Sequence, residues 1–197
     1  HEIKKDYSRV ISGIERSIKD TSAFQMTYSE LIKIVFSSQE TSIAMQNKRI
    51  KLRHTFKKDF ETPAFYLLIS ILNNLITNAV DAIAKDGHIS VRQEWQQGAI
   101  YLTVEDDGTG IECEDLPHIF NPGYSTKYNP ETGVMSSGIG LAHVHFLVTT
   151  TLSGTIKVYS EHQSTTRFAM TIPMERLMQS IDDHLLDMDE GLEGGQS

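Results

Sequence analysis

Two asparagines on an apolar helix are the first residues of this sequence whose type and spacing could serve chemistry. Asn74 and Asn78 are four residues apart, which places them one turn apart on one helical face, and Asp81 extends that stripe. The sequence from Leu67 to Ile83 is otherwise apolar nearly all round, as in a helix buried against a sheet. A buried amide needs partners, so these side chains either bind backbone within the core or face a polar ligand with a metal such as Mg²⁺.

A second candidate is a carboxylate at the end of a predicted strand. Two strands are predicted, from about His88 to Trp95 and from Ala99 to Asp106, and a tight turn joins them. In the second strand, the alternation places the side chain of Asp106 on the apolar side, toward the core. A carboxylate in that position requires a hydrogen-bond donor.

A long stretch without periodicity separates this strand from the next predicted helix. Between Gly108 and Gly140 the sequence is rich in glycine and proline, with at most a short helix around Glu114 to Ile119. Loops of this length in a compact domain are usually functional or disordered. The second half of the loop ends in Gly138 and Gly140, directly before a helix that is predicted to run to about Thr151.

The order of these pieces is more specific than any one of them. The sequence contains, in order, Asn74-x-x-x-Asn78-Ala79, Asp106-x-Gly108-x-Gly110, Phe120-x-Pro122 and Gly138-x-Gly140-Leu141. This series resembles the N, G1, F and G2 boxes of the histidine-kinase branch of the gyrase, Hsp90, histidine kinase and MutL ATPase superfamily. The resemblance covers about Tyr28 to Pro173, which is most of the chain.

The resemblance implies a site for ATP and Mg²⁺. Asp106 would accept a hydrogen bond from the adenine 6-amino group, and the nearby glycines would let the backbone approach the base without a Cβ atom. Asn78 and Asn74 would hold Mg²⁺ against the phosphates and are the implied catalytic residues, while free N–H groups at the helix start after Gly138 would meet phosphate oxygens. The implied cofactor-binding residues are Asn74, Asn78, Asp81, Asp106, Gly108, Gly110, Ile111, Phe120, Thr126, Lys127, Ser137, Gly138, Ile139, Gly140 and Leu141.

The sequence departs from the usual boxes at a few positions. Ser136 stands where the second glycine box usually has its first glycine, and Gly123 replaces the usual second aromatic of the F box. Asp81 and Ala82 replace the frequent Lys-Tyr pair after the N box. These departures affect the contacts that the loop before Gly140 would make as a lid over the nucleotide, and the stacking on adenine. The run FNPGYSTK that begins at Phe120 looks most like sensor kinases of nutrient-responsive two-component systems.

The predicted order is helix, helix, strand, helix, strand, strand, loop, helix, strand, strand, which is typical of an α+β protein. The resemblance implies a two-layer α/β sandwich of the Bergerat type, in which a mixed sheet of about five strands is covered on one face by about three helices. We expect three parts: residues 1–26 as a partial dimerisation helix, residues 27–174 as the ATP-binding domain, and residues 175–197 as a helix and flexible tail. In the first part, the apolar stripe from Ile3 to Ile18 fits a bundle seam or ordinary packing on the domain.

Local signals predict where the helices begin and end. Thr27 to Glu30 reads as a capping box before a helix that ends at about Asn47. Thr62-Pro63 would supply the N-cap and first position of the central helix, which would end near Asp86-Gly87. An apolar stripe from Leu177 to Met188 predicts a last helix, followed by a Gly-rich acidic end that we expect to be disordered.

Charge and composition exclude several classes of function. The net charge of −8 argues against nucleic acid or an anionic membrane surface as the main partner. The single cysteine, Cys113, cannot form an internal disulfide, so the cytoplasm is the expected compartment. The sequence shows neither an apolar run of the ~18–20 residues that span a membrane nor a signal peptide, so any membrane anchor would lie outside this chain.

The function that the resemblance implies is transfer of the ATP γ-phosphoryl group to a histidine, and then to an aspartate of a response regulator. The partners would be the dimerisation and acceptor domain of the same kinase, a response regulator and, for the full-length protein, a second copy. His1 is interpreted as incidental, so the acceptor histidine would lie outside this chain. Lys127 either reaches a phosphate or is solvated. The alternatives are a hydrolysing ATPase or serine kinase of the same superfamily, and a nucleotide-binding module without transfer activity.

Overall fold

The computed structural model describes residues 24–126, 128–129, 134–135, 137–161 and 163–179. The predicted helix from Ile3 to Ile18, and the predicted C-terminal helix beyond Gln179, lie outside the described residues. The described elements, in chain order, are β1 (Met26–Thr27), α1 (Tyr28–Met45), β2 (Arg49–Phe56), β3 (Glu61–Thr62), α2 (Phe65–Ala82), β4 (Asp86–Gln96), β5 (Ala99–Asp106), β6 (Tyr128–Asn129), β7 (Val134–Met135), α3 (Gly140–Phe146), a π-helix (Leu147–Thr151), β8 (Thr155–Ser160), β9 (Thr166–Pro173) and α4 (Met174–Leu177).

The main sheet has five strands in the order β2-β4-β5-β9-β8. Strand β2 runs parallel to β4, and every other neighbouring pair is antiparallel, so the sheet is mixed. Helices α1, α2 and α3 pack beside one another, and α2 lies against β4 and β5. This two-layer arrangement confirms the predicted α+β sandwich. In β5 and β9 the residues alternate between buried and more exposed positions, because only one face of the sheet is covered by helices.

The capping box at the start of α1 is confirmed. The side chain of Thr27 accepts a hydrogen bond from the backbone N–H of Glu30, and the Glu30 carboxylate accepts one from the backbone N–H of Thr27 at 3.0 Å. Two N–H groups that the helix cannot satisfy internally are paired in this way. The helix ends at Met45, close to the predicted end, and Asn47 follows with a positive φ of 53°.

The predicted boundaries of the central helix were wrong at both ends. Helix α2 begins at Phe65 rather than at Pro63, because Thr62 pairs with Met26 in a small strand. The Thr62 hydroxyl accepts from the backbone N–H of Ala64 and donates to the carbonyl of Leu177, 115 positions later in the chain. The helix ends at Ala82 rather than near Gly87, since residues 86–87 already belong to β4 and pair with β2. Both errors come from strand pairings that are remote in sequence.

Helix α2 supplies much of the core. Its apolar side chains Leu68, Ile71, Leu72, Leu75 and Ile76 are at most 1% exposed. Among the described residues, α2 is also the one helix long and apolar enough to cross a membrane, a test that a buried core helix passes equally well. Its packing against α1, α3 and the central strands accounts for this composition.

The segment after β5 is a series of turns and short pairings rather than a helix. The sequence predicts at most a short helix at Glu114 to Ile119, and this part forms consecutive turns. Strands β6 and β7 pair with each other farther along. The predicted helix from Gly140 to Thr151 is present, although its second half, from Leu147, has π-helical hydrogen bonding.

Candidate functional site

A cavity of about 500 Å³ lies between α2, the end of β5 and the start of α3. This volume is typical of a small-molecule site. The polar edge of α2 forms one wall, because Asn74, Asn78 and Asp81 all line the cavity. The sequence folds this way because the opposite residues of the helix are apolar and turn toward the core, which leaves the asparagine stripe at its margin.

The amide of Asn74 has a defined orientation. Its nitrogen donates to the carbonyl of Ser70, one turn earlier in α2, at 2.9 Å. Its oxygen points toward Gly140, where it lies only 2.9 Å from the position that a Cβ atom would occupy. A side chain at Gly140 would therefore displace the Asn74 oxygen from its present position.

Asp106, the last residue of β5, is a buried part of the cavity lining. It is 5% exposed, and its Oδ1 atom accepts a hydrogen bond from the backbone N–H of Gly108 at 2.9 Å. Burial raises the pKa of Asp106 to about 6; the hydrogen bond from Gly108 opposes this rise, and the neighbouring carboxylates of Asp107 and Glu105 add to it. The carboxylate is therefore desolvated in a setting of like charge, which suits it to receive a donor from a ligand.

The loop after Asp106 is fixed by its backbone. The N–H of Thr109 donates to the carbonyl of Ala82, at the end of α2, at 3.1 Å. The N–H of Ile111 donates to the Ser160 hydroxyl of β8 at 2.9 Å. Between them, Gly110 has a φ of 72°, a conformation that favours glycine. This wall of the cavity is thus held from two sides before any ligand binds.

A histidine on the neighbouring strand holds the turn at Asp107. The Asp107 carboxylate accepts from the backbone N–H of His88 at 2.7 Å and pairs with the ring Nδ1 of His88 at 2.9 Å. A Cβ atom on Gly87 would lie 2.5 Å from this carboxylate, so the strand has no room for a larger residue there. Asp107 is thereby turned outward, while Asp106 points into the cavity.

The third wall consists of the loop that leads into α3. Gly138 has a φ of 63°, and a Cβ atom on it would lie 2.5 Å from the carbonyl oxygen of Tyr124. The carbonyl of Gly138 also accepts from the N–H of Gly123 at 3.2 Å, so the two stems of the long loop touch at this point. The N-cap residue of α3, Ile139, provides no side-chain hydrogen bond to the first turn.

Most of the predicted site residues meet at this cavity. Those that line it are Asn74, Asn78, Asp81, Asp106, Gly110, Ile111, Thr126, Ser137, Gly138, Gly140 and Leu141. Gly108 lies behind Asp106, packed against Ala82. Phe120 contacts the rings of His145 and Phe168 at its margin, and Ile139 is 60% exposed. Lys127 lies outside the described residues.

Sequence reasoning missed several residues of the cavity wall. The additional lining residues are Ala79, Ala82, Thr109, Asp115, Ile119, Tyr124, Ser125, Thr166 and Phe168. Thr166 is 4% exposed and lies directly opposite Asp106 in the register of β5 and β9. The Tyr124 hydroxyl donates to the carboxylate of Asp115, which raises the pKa of Tyr124. The alternation in β9 predicts that Phe168 faces inward, but only the strand pairing shows that it reaches the cavity.

A comparison with known protein families explains this arrangement. Residues 66–176 match the family described as histidine kinase-, DNA gyrase B-, and HSP90-like ATPase, which is more than half of the chain. The chain belongs to this family. The chain is accordingly an ATPase domain of the histidine-kinase type, and this family implies ATP as the nucleotide.

Sensor histidine kinases are among the relatives of the chain. It is 32% identical to the sensor histidine kinase GlnK of Bacillus subtilis over 181 residues, which is 91% of this chain and 43% of GlnK. It is 39% identical to the sensor histidine kinase DcuS of Escherichia coli K12 over 110 residues, which is 55% of this chain and 19% of DcuS. The chain thus spans less than half of the length of these relatives.

Solved structures of similar domains show the same fold. The catalytic domain of the histidine kinase ThkA matches with a TM-score of 0.63 and 23% identity, over 78% of this chain and 97% of that domain. The mycobacterial sensor histidine kinase MprB matches with a TM-score of 0.62 and 18% identity, over 76% of this chain and 96% of the other. At these identities, the likeness establishes the architecture alone.

Proposed function

We propose that this chain is the catalytic part of a two-component sensor kinase, which binds ATP with Mg²⁺ and supplies its γ-phosphoryl group to a histidine on another domain. The observation that carries the proposal is the buried carboxylate of Asp106 in the lining of the cavity, together with the amides of Asn74 and Asn78. The first group suits a nucleobase amine, and the second suits a metal-bound phosphate.

Asp106 would select adenine. The 6-amino group of adenine is a donor, whereas guanine presents a carbonyl oxygen at the same place, which a carboxylate would repel. Burial has removed most of the hydration of Asp106, which accepts from the Gly108 N–H. A donor from the base would therefore supply a hydrogen bond that water no longer supplies. Discrimination should therefore be strong for ATP over GTP.

The donor chemistry along α2 fits Mg²⁺. Amide oxygens are hard ligands, and Asn74 uses its nitrogen on Ser70, which leaves its oxygen directed toward the start of α3. The described residues contain no group of three or more His, Cys, Asp or Glu side chains that could hold a metal alone. Mg²⁺ usually keeps waters and shares phosphate oxygens, so one or two amide ligands from Asn74 and Asn78 suffice. The bound ion would neutralise phosphate charge as the γ-phosphoryl group leaves.

The chemical step needs little from this chain besides positioning. An imidazole nitrogen of the acceptor domain forms a bond to the γ-phosphorus, the bond from that phosphorus to the β–γ bridging oxygen breaks, and ADP leaves with the electron pair. The imidazole proton passes to solvent. Because a neutral imidazole is already a good nucleophile, no general base is required, and the amide of Asn74 could not serve as one. The phosphoryl group then passes to an aspartate of a response regulator.

The remaining partners follow from this function. The acceptor histidine would lie on a dimerisation domain, so the full-length kinase would act as a homodimer, with this domain in the cytoplasm where ATP and the response regulator are present. Any membrane attachment would come through regions outside this chain. The exposed Ile139 at the start of α3 lies beside the cavity, where an acceptor helix could approach.

Phosphoryl transfer to a separate domain tests the proposal. The purified chain, γ-labelled ATP and a separately expressed acceptor-helix domain of the same kinase should together give acid-labile label on that domain. GTP should be a poor donor, and omission of either protein should abolish the label. Acid-stable label on serine would support a serine kinase of the same superfamily, and binding of ATP without any transfer would support a nucleotide-binding module.

A further inference from the structure

A buried glutamine joins α1 to α2 beside the asparagine stripe. Gln39 is 5% exposed, although it lies on a helix whose neighbouring residues Ser38 and Glu40 face solvent. Its side-chain nitrogen lies 3.2 Å from the Oδ1 atom of Asn73 and 3.3 Å from the hydroxyl of Thr77, both on α2. The two hydrogens of one amide group therefore reach two acceptors one turn apart.

The two acceptors are placed directly before the two site asparagines. Asn73 precedes Asn74, and Thr77 precedes Asn78, so each acceptor is offset from its neighbour by about 100° around the helix. Neither acceptor lines the cavity. A contact at two successive turns of α2 opposes both rotation about the helix axis and sliding along it, since either motion would lengthen at least one hydrogen bond.

Packing of apolar side chains alone would hold this orientation less firmly. The core residues of α2 are mostly leucine, isoleucine and alanine, and apolar contacts have no directional preference. Hydrogen bonds weaken steeply with distance and angle, so they can define one orientation. The carbonyl of Val80, two residues after Asn78, accepts from the Lys48 ammonium at 2.7 Å and adds a further hydrogen bond near the end of the same helix.

We infer that Gln39 is a positioning residue, which through Asn73 and Thr77 sets the rotation of α2 that directs Asn74 and Asn78 at the metal and phosphates. The inference rests on the proposed function, because it concerns the Mg²⁺-dependent part of nucleotide binding. Asp106 lies on β5, and the loop after it contacts α2 only near its end, at Ala82, so adenine binding should depend less on the rotation of α2 than the two asparagines do. Loss of Gln39 should thus weaken metal-dependent binding selectively.

Calorimetry with a non-hydrolysable ATP analogue, in Mg²⁺ and in EDTA, measures this selectivity. The quantity of interest is the dissociation constant in EDTA divided by that in Mg²⁺. In Gln39→Met, which keeps the length of the side chain and removes its donors, this ratio should fall about 10-fold, in the range seen when groups that orient metal ligands are removed. The dissociation constant in EDTA should change little. Gln46→Met, the same substitution at an exposed position near the end of α1, should leave both constants unchanged.

Two further variants keep the test independent of folding. Thr77→Val removes one acceptor at an exposed position with almost no change of shape, and it should lower the ratio in the same direction by a smaller factor. If Asn73 acts only through Gln39, then Gln39→Met with Asn73→Leu should lose no more than Gln39→Met alone. Additive losses would contradict a shared contact.

The outcomes separate this inference from the proposed function. A wild-type ratio near one would overturn the metal assignment itself, and the role of Gln39 with it. A large wild-type ratio that is unchanged in folded Gln39→Met and in Thr77→Val would overturn the role of Gln39 alone. Equal losses in Mg²⁺ and in EDTA would show that Gln39 contributes only to the stability of the fold.

Discussion

At the scale of single residues, Asp106 opposes folding in the absence of a ligand. Its pKa rises from 3.8 to about 6 because burial disfavours the charged form. A shift of this size corresponds to about 3 kcal/mol of stability that is lost above pH 6 and is retained below pH 4. The cavity therefore contains a carboxylate whose charge is costly until a donor binds it.

The pH dependence of stability should reveal this cost. The raised pKa means that the folded chain holds this proton more tightly than the unfolded chain, so the destabilisation develops as the pH rises from about 4 to 6 and is complete above 6. Replacing Asp106 with Asn should therefore stabilise the nucleotide-free protein at pH 7.5 by up to about 3 kcal/mol, and by much less at pH 4. Chemical denaturation of both proteins at several pH values measures the difference. A stability difference that does not change with pH would contradict the raised pKa.

The same substitution, Asp106→Asn, should remove nucleotide binding. The amide oxygen of the variant could still accept from the Gly108 N–H, so the fold should remain intact. The amide nitrogen, however, would face the adenine amine donor to donor, a loss of about 3 kcal/mol or roughly 100-fold in affinity. Calorimetry at pH 7.5 checks this, and unchanged affinity would disprove the adenine assignment. A protein that is more stable and yet binds no ATP would show that Asp106 is retained for function.

Asn78 should matter to the metal rather than to the base. Asn78→Ala removes a proposed Mg²⁺ ligand from the wall of the cavity, so Mg·ATP should bind at least about 10-fold more weakly. Binding of ATP in EDTA should change little. Titrations of wild type and variant under both conditions decide the matter, because equal losses would identify Asn78 as a structural amide.

At the scale of elements, the stems of the long loop offer a matched pair of glycines. Gly138 and Gly123 both have positive φ, of 63° and 81°, but a Cβ atom would lie 2.5 Å from the Tyr124 carbonyl at Gly138 and would meet nothing within 4 Å at Gly123. Gly123→Ala should lower the stability of the fold by only about 1–2 kcal/mol, the strain of a left-handed backbone conformation. Gly138→Ala should cause the same strain and also separate the two stems of the loop. ATP affinity should therefore fall more in Gly138→Ala than in Gly123→Ala. Similar affinities for the two variants would show that contact between the stems does not shape the site.

Signals local in sequence predicted the elements well, whereas contacts distant in sequence caused the errors. The capping box at Thr27 depends on residues three apart, and it is present as predicted. Thr62 has the side chain of an N-cap, and its hydroxyl accepts from the backbone N–H of Ala64, but Thr62 pairs with Met26 in a strand and the helix starts at Phe65. No local pattern could show that Thr62 pairs with Met26.

The same distinction holds for the site. Asn74, Asn78 and Asp106 could be predicted, because helical spacing and strand alternation determine which way they face. Thr166 and Phe168 could not, because their position depends on which strand pairs with β5, and the partner lies about 60 residues away in sequence. Tyr124 and Asp115 meet across a series of turns without a repeating pattern.

At the scale of the whole molecule, the first and the last described elements lie together. Met26 pairs with Thr62, and the hydroxyl of Thr62 donates to Leu177. The side chain of Arg176 also donates to the carbonyl of Thr151, at 2.8 Å, which ties α4 to the end of the π-helix. Phe24 contacts the ring of Phe65, so the first described residues meet the domain at the start of α2 rather than at its later turns, which carry the site asparagines.

Without its acceptor domain, this domain should hold ATP and scarcely hydrolyse it. In hydrolysing members of the superfamily that the sequence resembles, a glutamate stands four residues before the second N-box asparagine and polarises water; here that residue is Asn74, whose amide already donates to the Ser70 carbonyl. An amide cannot act as a general base, and water is a far weaker nucleophile than imidazole. The purified chain should therefore bind ATP and neither hydrolyse it appreciably nor label itself. Phosphate release, measured against a buffer blank and against Asp106→Asn, which should bind ATP roughly 100-fold more weakly, provides the comparison. Turnover that is well above both and is lost in Asp106→Asn would identify the domain as a hydrolysing ATPase, because water would then be reaching the γ-phosphoryl group in this same cavity.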